Sequence, residues 1–222
     1  MYFNFVSILS LLFPWPIRRW MLQTFLGYSI HPTARIGFSL ISSKTLIMEG
    51  KSYIGHLNVC KGMDLISISE CSSIGNLNWI TGVSTQSKKS YTHERDRLSQ
   101  LIILEHSAIT HRHYIDCTNS IHLGHHSIFA GVRSQILTHS INLSSSVQES
   151  KTVHVGDYCF IGTDCLILGG SVLPDYCILG AKALLNKQFS EQYCLYTGVP
   201  AVKNKQLSKD FEYFNRITGF VS

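Results

Sequence analysis

Charged side chains are scarce in this 222-residue chain, where Asp, Glu, Lys and Arg make up 15% of the residues and apolar residues make up 45%. The formal net charge is only +5, and Lys and Arg are spread along the chain. The lack of a basic cluster argues against a surface built for nucleic acid, although it suits an anionic cofactor or a membrane face. The apolar content is sufficient for one substantial core.

The N-terminal apolar run does not reach the ~20 residues that a membrane-spanning helix requires. This run, M-Y-F-N-F-V-S-I-L-S-L-L-F, has 13 residues, and its arginines follow it, whereas a secretory signal peptide has its positive charge first. Beyond Pro16, apolar residues recur at helical spacing. Residues 1–29 are therefore predicted to form one or two short helices. Two roles stay open for residues 1–27: they lie in a membrane interface, or they cap the domain.

A six-residue rhythm dominates residues 155–185. In V-G-D-Y-C-F, I-G-T-D-C-L, I-L-G-G-S-V, L-P-D-Y-C-I, L-G-A-K-A-L, L, every sixth residue is aliphatic, and the fifth residue of each hexad is small. This period fits neither an isolated helix nor a hairpin sheet. It fits a solenoid of short strands in which each side turns one large and one small side chain inward.

Three of the seven cysteines are explained by this rhythm. Cys159, Cys165 and Cys177 are separated by six and twelve residues, which places them at the small inward position of successive hexads. Buried, inert thiols are therefore favoured over metal ligands. An odd number of cysteines without a secretory signal also predicts a reduced, cytoplasmic compartment.

The rhythm recurs upstream with slips in phase and two interruptions. A slip of two residues after Ile121 predicts inward side chains at Phe129 and Gln135. Polar stretches at 84–100 and 141–152 break the pattern and are predicted to be loops. Since long loops in a regular solenoid are where function concentrates, we expect the functional site beside them.

The chain resembles the hexapeptide-repeat acyltransferases. The resemblance rests on the hexads, on I-L-G-G-S-V-L-P-D-Y-C-I-L-G-A-K-A-L within them, and on G-V-P-A-V-K at 198–203, and it covers roughly residues 30–203. It implies an all-β solenoid over 30–203, a left-handed parallel β-helix with three hexads per triangular coil and with short N-terminal and C-terminal helices. Residues 204–222 are then expected to form a helical cap on the open end.

The resemblance also implies direct transfer of an acyl group from acyl-CoA, usually acetyl-CoA, to a hydroxyl or amine. Such a reaction needs a base to take the acceptor's proton, and imidazole suits this role. In L-T-H-S (137–140), His139 lies where the family's histidine does, at the end of a coil where a loop begins. We therefore predict that His139 is the general base. The predicted acceptor-binding residues are His113, Asp116, Asn119, Arg133 and Asn142.

The stacking of the coils suggests how these residues meet. Counting coils predicts that Ile115 lies beneath Gln135, which brings Asn119 near His139. Asp116 is then also a candidate for orienting the imidazole ring.

For coenzyme A, the resemblance implies small residues beside the pantetheine arm and cations beside the phosphates. Glycine and alanine meet the first requirement by family position, and lysines at the C-terminal end of the solenoid meet the second. Val199 stands where many relatives have Asn, and for Lys203 an exposed linker lysine is an equally good interpretation. The predicted cofactor-binding residues are Gly162, Gly180, Ala181, Lys182, Gly198, Pro200 and Lys203.

Zinc binding is an alternative use for the histidines. The γ-class carbonic anhydrases share the β-helix and use three histidines, two of them five residues apart and a third about two coils earlier. His106 and His111 have the five-residue gap, but no histidine occurs between His56 and His93. The third ligand is missing, so no metal site is predicted.

Together these observations predict an acetyl-CoA-dependent O-acyltransferase with His139 as general base. The expected acceptor is a sugar hydroxyl in a precursor of a capsule, exopolysaccharide or lipopolysaccharide, either free or lipid-linked. The resemblance implies a homotrimer with its active site between neighbouring coils. The expected location is the cytoplasm, with residues 1–27 as a peripheral contact to the inner face of the membrane. Two alternatives stay open: an amino sugar or other small molecule as acceptor, or a non-catalytic β-helix module.

Overall fold

Three sheets of parallel strands form the faces of a triangular solenoid in the computed structural model of the chain. The structure describes residues 2–219 and residue 221, with side chains from residue 5 onward. Met1, Phe220 and Ser222, which belong to the two predicted terminal segments, lie outside the described residues. The chain passes through sheets A, B and C in turn, so that each coil stacks on the coil before it.

The strands are numbered in chain order and are short, because each side of the triangle turns a corner after a few residues. Sheet A consists of β1 (Ser29–Ile30), β4 (Thr45–Met48), β7 (Leu65–Ile68), β10 (Gln100–Ile103), β13 (Ile121–Leu123), β18 (Val153–Val155) and β21 (Val172–Leu173). Sheet B consists of β2 (Arg35–Ile36), β5 (Tyr53–Ile54), β8 (Ser73–Ile74), β11 (Ala108–Ile109), β14 (Ile128–Phe129), β19 (Phe160–Ile161), β22 (Ile178–Leu179), β24 (Cys194–Thr197) and β25 (Val202–Gln206). Sheet C consists of β3 (Leu40–Ser42), β6 (Val59–Lys61), β9 (Trp79–Thr81), β12 (Tyr114–Asp116), β15 (Gln135–Leu137), β20 (Leu166–Leu168) and β23 (Leu184–Leu185).

The core follows the predicted six-residue rhythm. All the aliphatic positions are buried, at 0–1% exposure: Val155, Ile161, Ile167, Leu173, Leu179 and Leu185. The small positions are also buried: Cys159, Cys165, Ser171, Cys177 and Ala183. Burial raises the pKa of the Cys177 thiol to about 12, which keeps this thiol protonated and unreactive. The interpretation of these cysteines as core residues is confirmed.

In one upstream stretch, the predicted phase of the six-residue repeat is wrong by a single residue. Gln135 is exposed, whereas Ile136 is 2% exposed, and it is Ile136 that pairs with Ile115. The turn before β15 contains one residue more than the corresponding turn of the next coil. Gly131 accommodates this residue at φ +70°, a conformation that glycine adopts without strain.

Aromatic rings stack along the corner between sheets A and B. The corner positions His106, His126, Tyr158, Tyr176 and Tyr193 all have positive φ, and consecutive rings lie 4.5–5.3 Å apart between centroids. Each coil has its corner at the same place, so these side chains stack directly above one another. The contacts between rings offset the cost of the left-handed backbone.

Two helices close the N-terminal end of the solenoid. These are α1 (Tyr2–Ser10) and α2 (Trp15–Leu26), and the latter ends at Gly27, whose φ is +69°. Leu22 and Leu26 are buried in the core, and the Arg18 guanidinium donates to the carbonyls of Ile36, Gly37 and Ser39 at 3.3, 2.6 and 2.7 Å. In the described part of the chain, no helix has the length and apolar character needed to cross a membrane.

The C-terminal segment differs from the expected cap. The helix α3 (Glu212–Asn215) has only four residues, and it lies against the flank of the solenoid. Phe214 contacts the rings of Tyr176 and Tyr193 edge-on, at 5.8 and 5.6 Å, and the Tyr213 hydroxyl donates to the Cys159 carbonyl at 3.0 Å. The apolar side chains of this segment therefore pack on the aromatic stack instead of on the open end.

Other residues close the C-terminal end. The Phe189 ring stacks on Tyr196 at 3.8 Å between centroids, inside the last coil. Beyond it, β25 runs antiparallel to β24 and forms the edge of sheet B. All five residues of this strand, V-K-N-K-Q, are exposed, and four of them are polar.

Candidate active site

His139 lies at the base of a β-hairpin that replaces the corner between sheets C and A. The stretch predicted as a loop at 141–152 forms two antiparallel strands, β16 (His139–Asn142) and β17 (Val147–Ser150), and His139 pairs with Ser150. The Asn142 side chain fixes the turn, because its Oδ1 accepts from the Ser144 amide at 3.0 Å and from the Ser144 hydroxyl at 2.6 Å. Such local bonds are typical of asparagine in turns.

A buried carboxylate holds the imidazole ring of His139. Nδ1 of His139 lies 2.7 Å from Oδ2 of Asp116, which ends the strand β12 one coil earlier. The His139 side chain is 41% exposed, whereas that of Asp116 is 4% exposed. With Nδ1 as the donor to the carboxylate, Nε2 carries the lone pair that a base needs.

Asp116 is kept ionised by its neighbours. Its Oδ1 accepts from the amide and hydroxyl of Thr118, and its Oδ2 accepts from the amide and hydroxyl of Thr138 and from the His139 amide. Burial acts to raise the pKa of this carboxyl, but the bonds from Thr118, His139 and Thr138 outweigh it and hold the pKa below the usual range. The negative charge therefore faces the ring on which a positive charge would develop.

His113 does not belong to this site, which corrects one predicted acceptor contact. Its side chain is inside the coil at 2% exposure, with Nε2 3.0 Å from the Thr110 hydroxyl and Nδ1 accepting from the Ser134 amide at 3.2 Å. Burial lowers the pKa of His113 to about 4. Both ring nitrogens are used within the fold, so this ring is unavailable to an acceptor.

The other predicted acceptor-binding residues differ in how near they lie to His139. Asn119 is close to His139, and its side chain donates to the Ser150 hydroxyl at 3.0 Å. Asn142 is used in the hairpin turn. Arg133 lies at the opposite end of the sheet C side, paired with Asp164 at 3.6 Å, and six residues of extended chain separate it from His139 by up to about 20 Å. Within one chain, Arg133 and His139 do not share a site.

The polar stretch at 84–100 contacts the hairpin through Glu94, a residue that was not predicted from the sequence. Glu94 accepts from the Ser150 amide at 2.6 Å and from the Ser150 hydroxyl at 2.5 Å. Arg97 is buried and donates to the Val83 carbonyl at 2.5 Å and to the Thr118 carbonyl. The loop is thus attached both to the hairpin and to the residues around Asp116. Only its position as an interruption of the repeat indicated this role.

A comparison with solved structures identifies the fold. The polysialic acid O-acetyltransferase OatWY is similar with a TM-score of 0.63, at 17% sequence identity, over 81% of this chain and 84% of that protein. The chain has the left-handed parallel β-helix fold of the hexapeptide-repeat acyltransferases. No family model matches the chain, and no curated protein matches its sequence.

Two further solved acetyltransferase structures are similar to the chain with lower TM-scores. The polySia-specific acetyltransferase NeuO has a TM-score of 0.45 at 14% identity, over 81% of this chain and 86% of its own. The hexapeptide-repeat acetyltransferase VCA0836 of Vibrio cholerae O1 biovar eltor, complexed with acetyl coenzyme A, has a TM-score of 0.47 at 13% identity. The match covers 93% of this chain and 87% of VCA0836.

Most of the predicted cofactor-binding residues of this β-helix meet at one corner, between sheets B and C. A Cβ added at Gly162 would lie 2.7 Å from the Ala181 amide nitrogen of the coil above, so the coils approach closely there. Lys182 follows Ala181 at this corner with φ +60°. The turn with Gly198 and Pro200 lies directly above, since the Leu184 amide donates to the Gly198 carbonyl at 3.0 Å.

Lys203 does not join this group. Its Nζ lies 2.5 Å from Oε2 of Glu191, with which it forms an ion pair. The remaining predicted cofactor residues and His139 lie at opposite ends of the sheet C side. A site that uses both sets must therefore either span this side of the triangle or bring the corner of one chain beside the corner of another.

The histidines that suggested zinc are used elsewhere. The His106 ring stacks on His126 at 4.8 Å, and Nδ1 of His111 accepts from the Asn76 amide at 2.8 Å. Within residues 2–219 and 221, no group of three His, Cys, Asp or Glu side chains is arranged to hold a metal ion.

Proposed function

We propose that this protein transfers an acetyl group from acetyl-CoA to a hydroxyl group of a sugar, with His139 as general base. The observation that carries the proposal is the pairing of an exposed imidazole with a buried, ionised carboxylate at the point where the repeat of an acyltransferase-type β-helix breaks. The lone pair on Nε2 of such an imidazole can take a proton from a hydroxyl, and the Asp116 carboxylate stabilises the imidazolium that results.

The proposed reaction is a direct transfer without a covalent enzyme intermediate. Nε2 of His139 takes the proton of the acceptor hydroxyl as its oxygen attacks the thioester carbonyl carbon. The new C–O bond forms, the C–S bond breaks, and the proton passes from His139 to the departing thiolate of coenzyme A. Asp116 stays ionised throughout and holds Nδ1, so that the ring keeps the tautomer and orientation that the step requires.

The substrate class is inferred from likeness. The fold is shared with an enzyme that O-acetylates polysialic acid, which supports a saccharide acceptor, and we propose a precursor of a surface polysaccharide. The separation between His139 and the corner with Gly162 and Lys182 supports a site formed between chains, as in a cyclic trimer. An amino sugar as acceptor is the alternative, and it would use the same base and the same orienting carboxylate.

The variant His139→Ala tests the catalytic role. Loss of the base is expected to reduce turnover of acetyl-CoA with a sugar acceptor by about 10²–10⁴-fold, while affinity for coenzyme A and the melting temperature stay near those of the wild type. His154→Ala is a matched control, because His154 is an exposed histidine on the neighbouring strand β18. Unchanged turnover in His139→Ala would refute the proposed mechanism.

We also propose that α1 and α2 dock on the anionic inner face of the cell membrane. The two helices and the turn between them expose large apolar side chains at 41–78%: Phe5, Ile8, Leu12, Phe13, Ile17 and Trp20. Residues 1–48 contain no Asp or Glu. Of their three arginines, Arg18 is buried, so the available positive charge is that of Arg19, Arg35 and Lys44. An exposed apolar face with a positive balance of charge suits an interface with anionic lipid.

Vesicle sedimentation tests this docking. The wild type is expected to sediment with phosphatidylglycerol-containing vesicles and less with pure phosphatidylcholine, and the double variant Leu12→Ser/Trp20→Ser is expected to stay in solution. Phe211→Ser is a control, because Phe211 is 47% exposed beside α3 on the flank of the solenoid, away from α1 and α2. Self-association that disappears in the double variant, without vesicle binding, would instead assign this face to a second copy of the chain.

A further inference from the structure

A groove lies along the corner between sheets C and A, on the N-terminal side of the loop 84–100. It has a volume of about 480 Å³ and is lined by residues from three successive coils, among them Lys44, Lys61 and Thr81. The loop itself contributes Ser84 to the lining. The groove therefore begins where the loop that holds the His139 hairpin begins.

The groove has an excess of positive charge. Lys44 and Lys61 are both exposed, and among the described residues neither forms an ion pair. Asp64 is the one carboxylate among the described lining residues, and the loop already occupies its oxygens. The Ser84 hydroxyl donates to Asp64 at 2.5 Å, and the amide and hydroxyl of Thr85 donate to it at 2.8 and 2.7 Å. Asp64 also interacts electrostatically with Lys44, so two ammonium groups and one carboxylate leave the groove with a net positive charge for an anion.

The surroundings of Lys61 also suit a sugar ring. Its Nζ lies 5.1 Å from the ring centroid of Trp79, whose side chain is 45% exposed on the face of sheet C. Trp79 lies beside the groove, where its exposed ring offers a flat apolar face next to Lys61, and Thr81 belongs to the lining of the groove. Aromatic faces combined with a few hydrogen-bonding groups are typical of sites that bind amphipathic ligands.

The strand register gives the distance from this groove to His139. Lys61 pairs with Thr81, Thr81 pairs with Asp116, and Asp116 pairs with Leu137. These three steps along sheet C amount to about 14 Å at the usual strand spacing, and His139 follows Leu137 by two residues. A ligand that fills the groove and also reaches His139 must therefore be a chain of several units.

We propose that this groove is a second subsite for the acceptor, which binds a carboxylate-bearing sugar of an oligosaccharide several units away from the sugar that is acetylated. The inference rests on the proposed transfer to a saccharide and adds that the acceptor is an acidic oligomer. Lys44 and Lys61 bind the carboxylate, and Trp79 supports the ring. A phosphate of coenzyme A is the other anion that two lysines could bind, and the experiment separates the two.

Direct binding tests the subsite without turnover. Hexamers of galacturonic acid and of α2,8-linked sialic acid are titrated calorimetrically into the wild type and into Lys44→Ala/Lys61→Ala, with neutral maltohexaose as the reference sugar. We expect at least one acidic hexamer to bind the wild type more tightly than maltohexaose. We expect the double variant to lose about tenfold or more of that affinity, since two charge contacts are removed.

The matched control is Lys51→Ala/Lys205→Ala, which removes two exposed lysines at other places on the surface. This control is expected to bind the acidic hexamers like the wild type. Equal affinity of Lys44→Ala/Lys61→Ala and the wild type for every acidic hexamer would overturn the proposal, as would no preference of the wild type for acidic over neutral hexamers. A loss of coenzyme A affinity without a loss of saccharide affinity would assign the groove to phosphate.

Turnover distinguishes this inference from the proposed function. With an accepted acidic hexamer, the lysine variants should raise KM and leave kcat unchanged, whereas His139→Ala should reduce kcat by about 10²–10⁴-fold and leave hexamer affinity intact. If the wild type binds the hexamers through Lys44 and Lys61 but transfers no acetyl group to any sugar, the subsite stands and the proposed reaction fails. If the wild type transfers acetyl groups to a sugar and the lysine variants change neither KM nor hexamer affinity, the proposed reaction stands and the subsite is refuted.

Discussion

Replacing Asp116 with asparagine is expected to disturb both the orientation of His139 and the stability of its coil. The two side chains have nearly the same shape, but a carboxylate only accepts hydrogen bonds, whereas an amide donates from one end. Oδ1 of Asp116 accepts from the Thr118 amide, and Oδ2 accepts from the amides of Thr138 and His139. Whichever way the new amide turns, its NH₂ group faces a backbone N–H.

The two effects of Asp116→Asn have separate magnitudes. Loss of a charge-assisted hydrogen bond and an unpaired buried donor are expected to lower the free energy of unfolding by about 2–4 kcal/mol. Turnover is expected to fall by about 10²–10⁴-fold, because the imidazolium loses its counter-charge and Nδ1 loses the acceptor that fixes the tautomer. The site keeps its shape, so affinity for coenzyme A should change little.

The assays are urea denaturation and acetyl-CoA turnover on the same preparations. Asp157→Asn is the matched control, since its Oδ1 also accepts a backbone amide, that of His125 at 2.7 Å, but at a different corner. Its turnover should equal that of the wild type. If Asp116→Asn loses stability but retains full turnover, the carboxylate supports only the fold, and the orientation of His139 by Asp116 is refuted.

Three further predictions concern stability and the hairpin. His113 has a pKa of about 4 in the folded state and ~6.5 in the unfolded chain, so the unfolded chain binds the extra proton between these values. Lowering the pH from 7 to 5 should therefore lower the free energy of unfolding by about 2 kcal/mol. In urea denaturation, His113→Gln should lose about that much less stability than the wild type over this pH range, and an equal loss in both proteins would contradict the prediction. Glu94→Ala should lower kcat and speed hydrogen exchange in residues 139–150, with Asp96→Ala as a silent control, and unaltered exchange would show that the loop does not hold the hairpin. Gly169→Ala would place a Cβ 2.5 Å from the Thr138 carbonyl oxygen, so both the melting temperature and turnover should fall, and a neutral substitution would contradict the close packing of these coils.

The repeat could be predicted from the sequence because its physical cause is local. Each side of the triangle needs one large inward residue, and Val155 to Leu185 supply it at constant spacing. The phase failed only after Phe129, where an extra residue is placed in a glycine turn. The sign of this shift in the sequence is the polar Gln135 at the expected inward position, followed directly by the aliphatic Ile136.

The site was predictable where chemistry and position coincide, and only there. His139 stands next to a break in the repeat, and Asp116 falls one coil earlier on the same corner, so the pair follows from counting coils. His113 has the same side chain in a polar run, but its ring points inward, which depends on the exact turn before β12. Glu94 was missed because its contact with Ser150 joins residues 56 positions apart, a distance that no local pattern encodes.

The antiparallel strand β25 has a consequence for how molecules of this protein meet. A parallel β-helix presents, at its last coil, a row of backbone groups to which the first coil of another molecule could add. Here sheet B ends on a strand of opposite direction that contains two lysines, and α1 and α2 cover the other end. The helices therefore cover the first coil, and at the last coil the edge of sheet B offers no parallel strand to which another molecule could add.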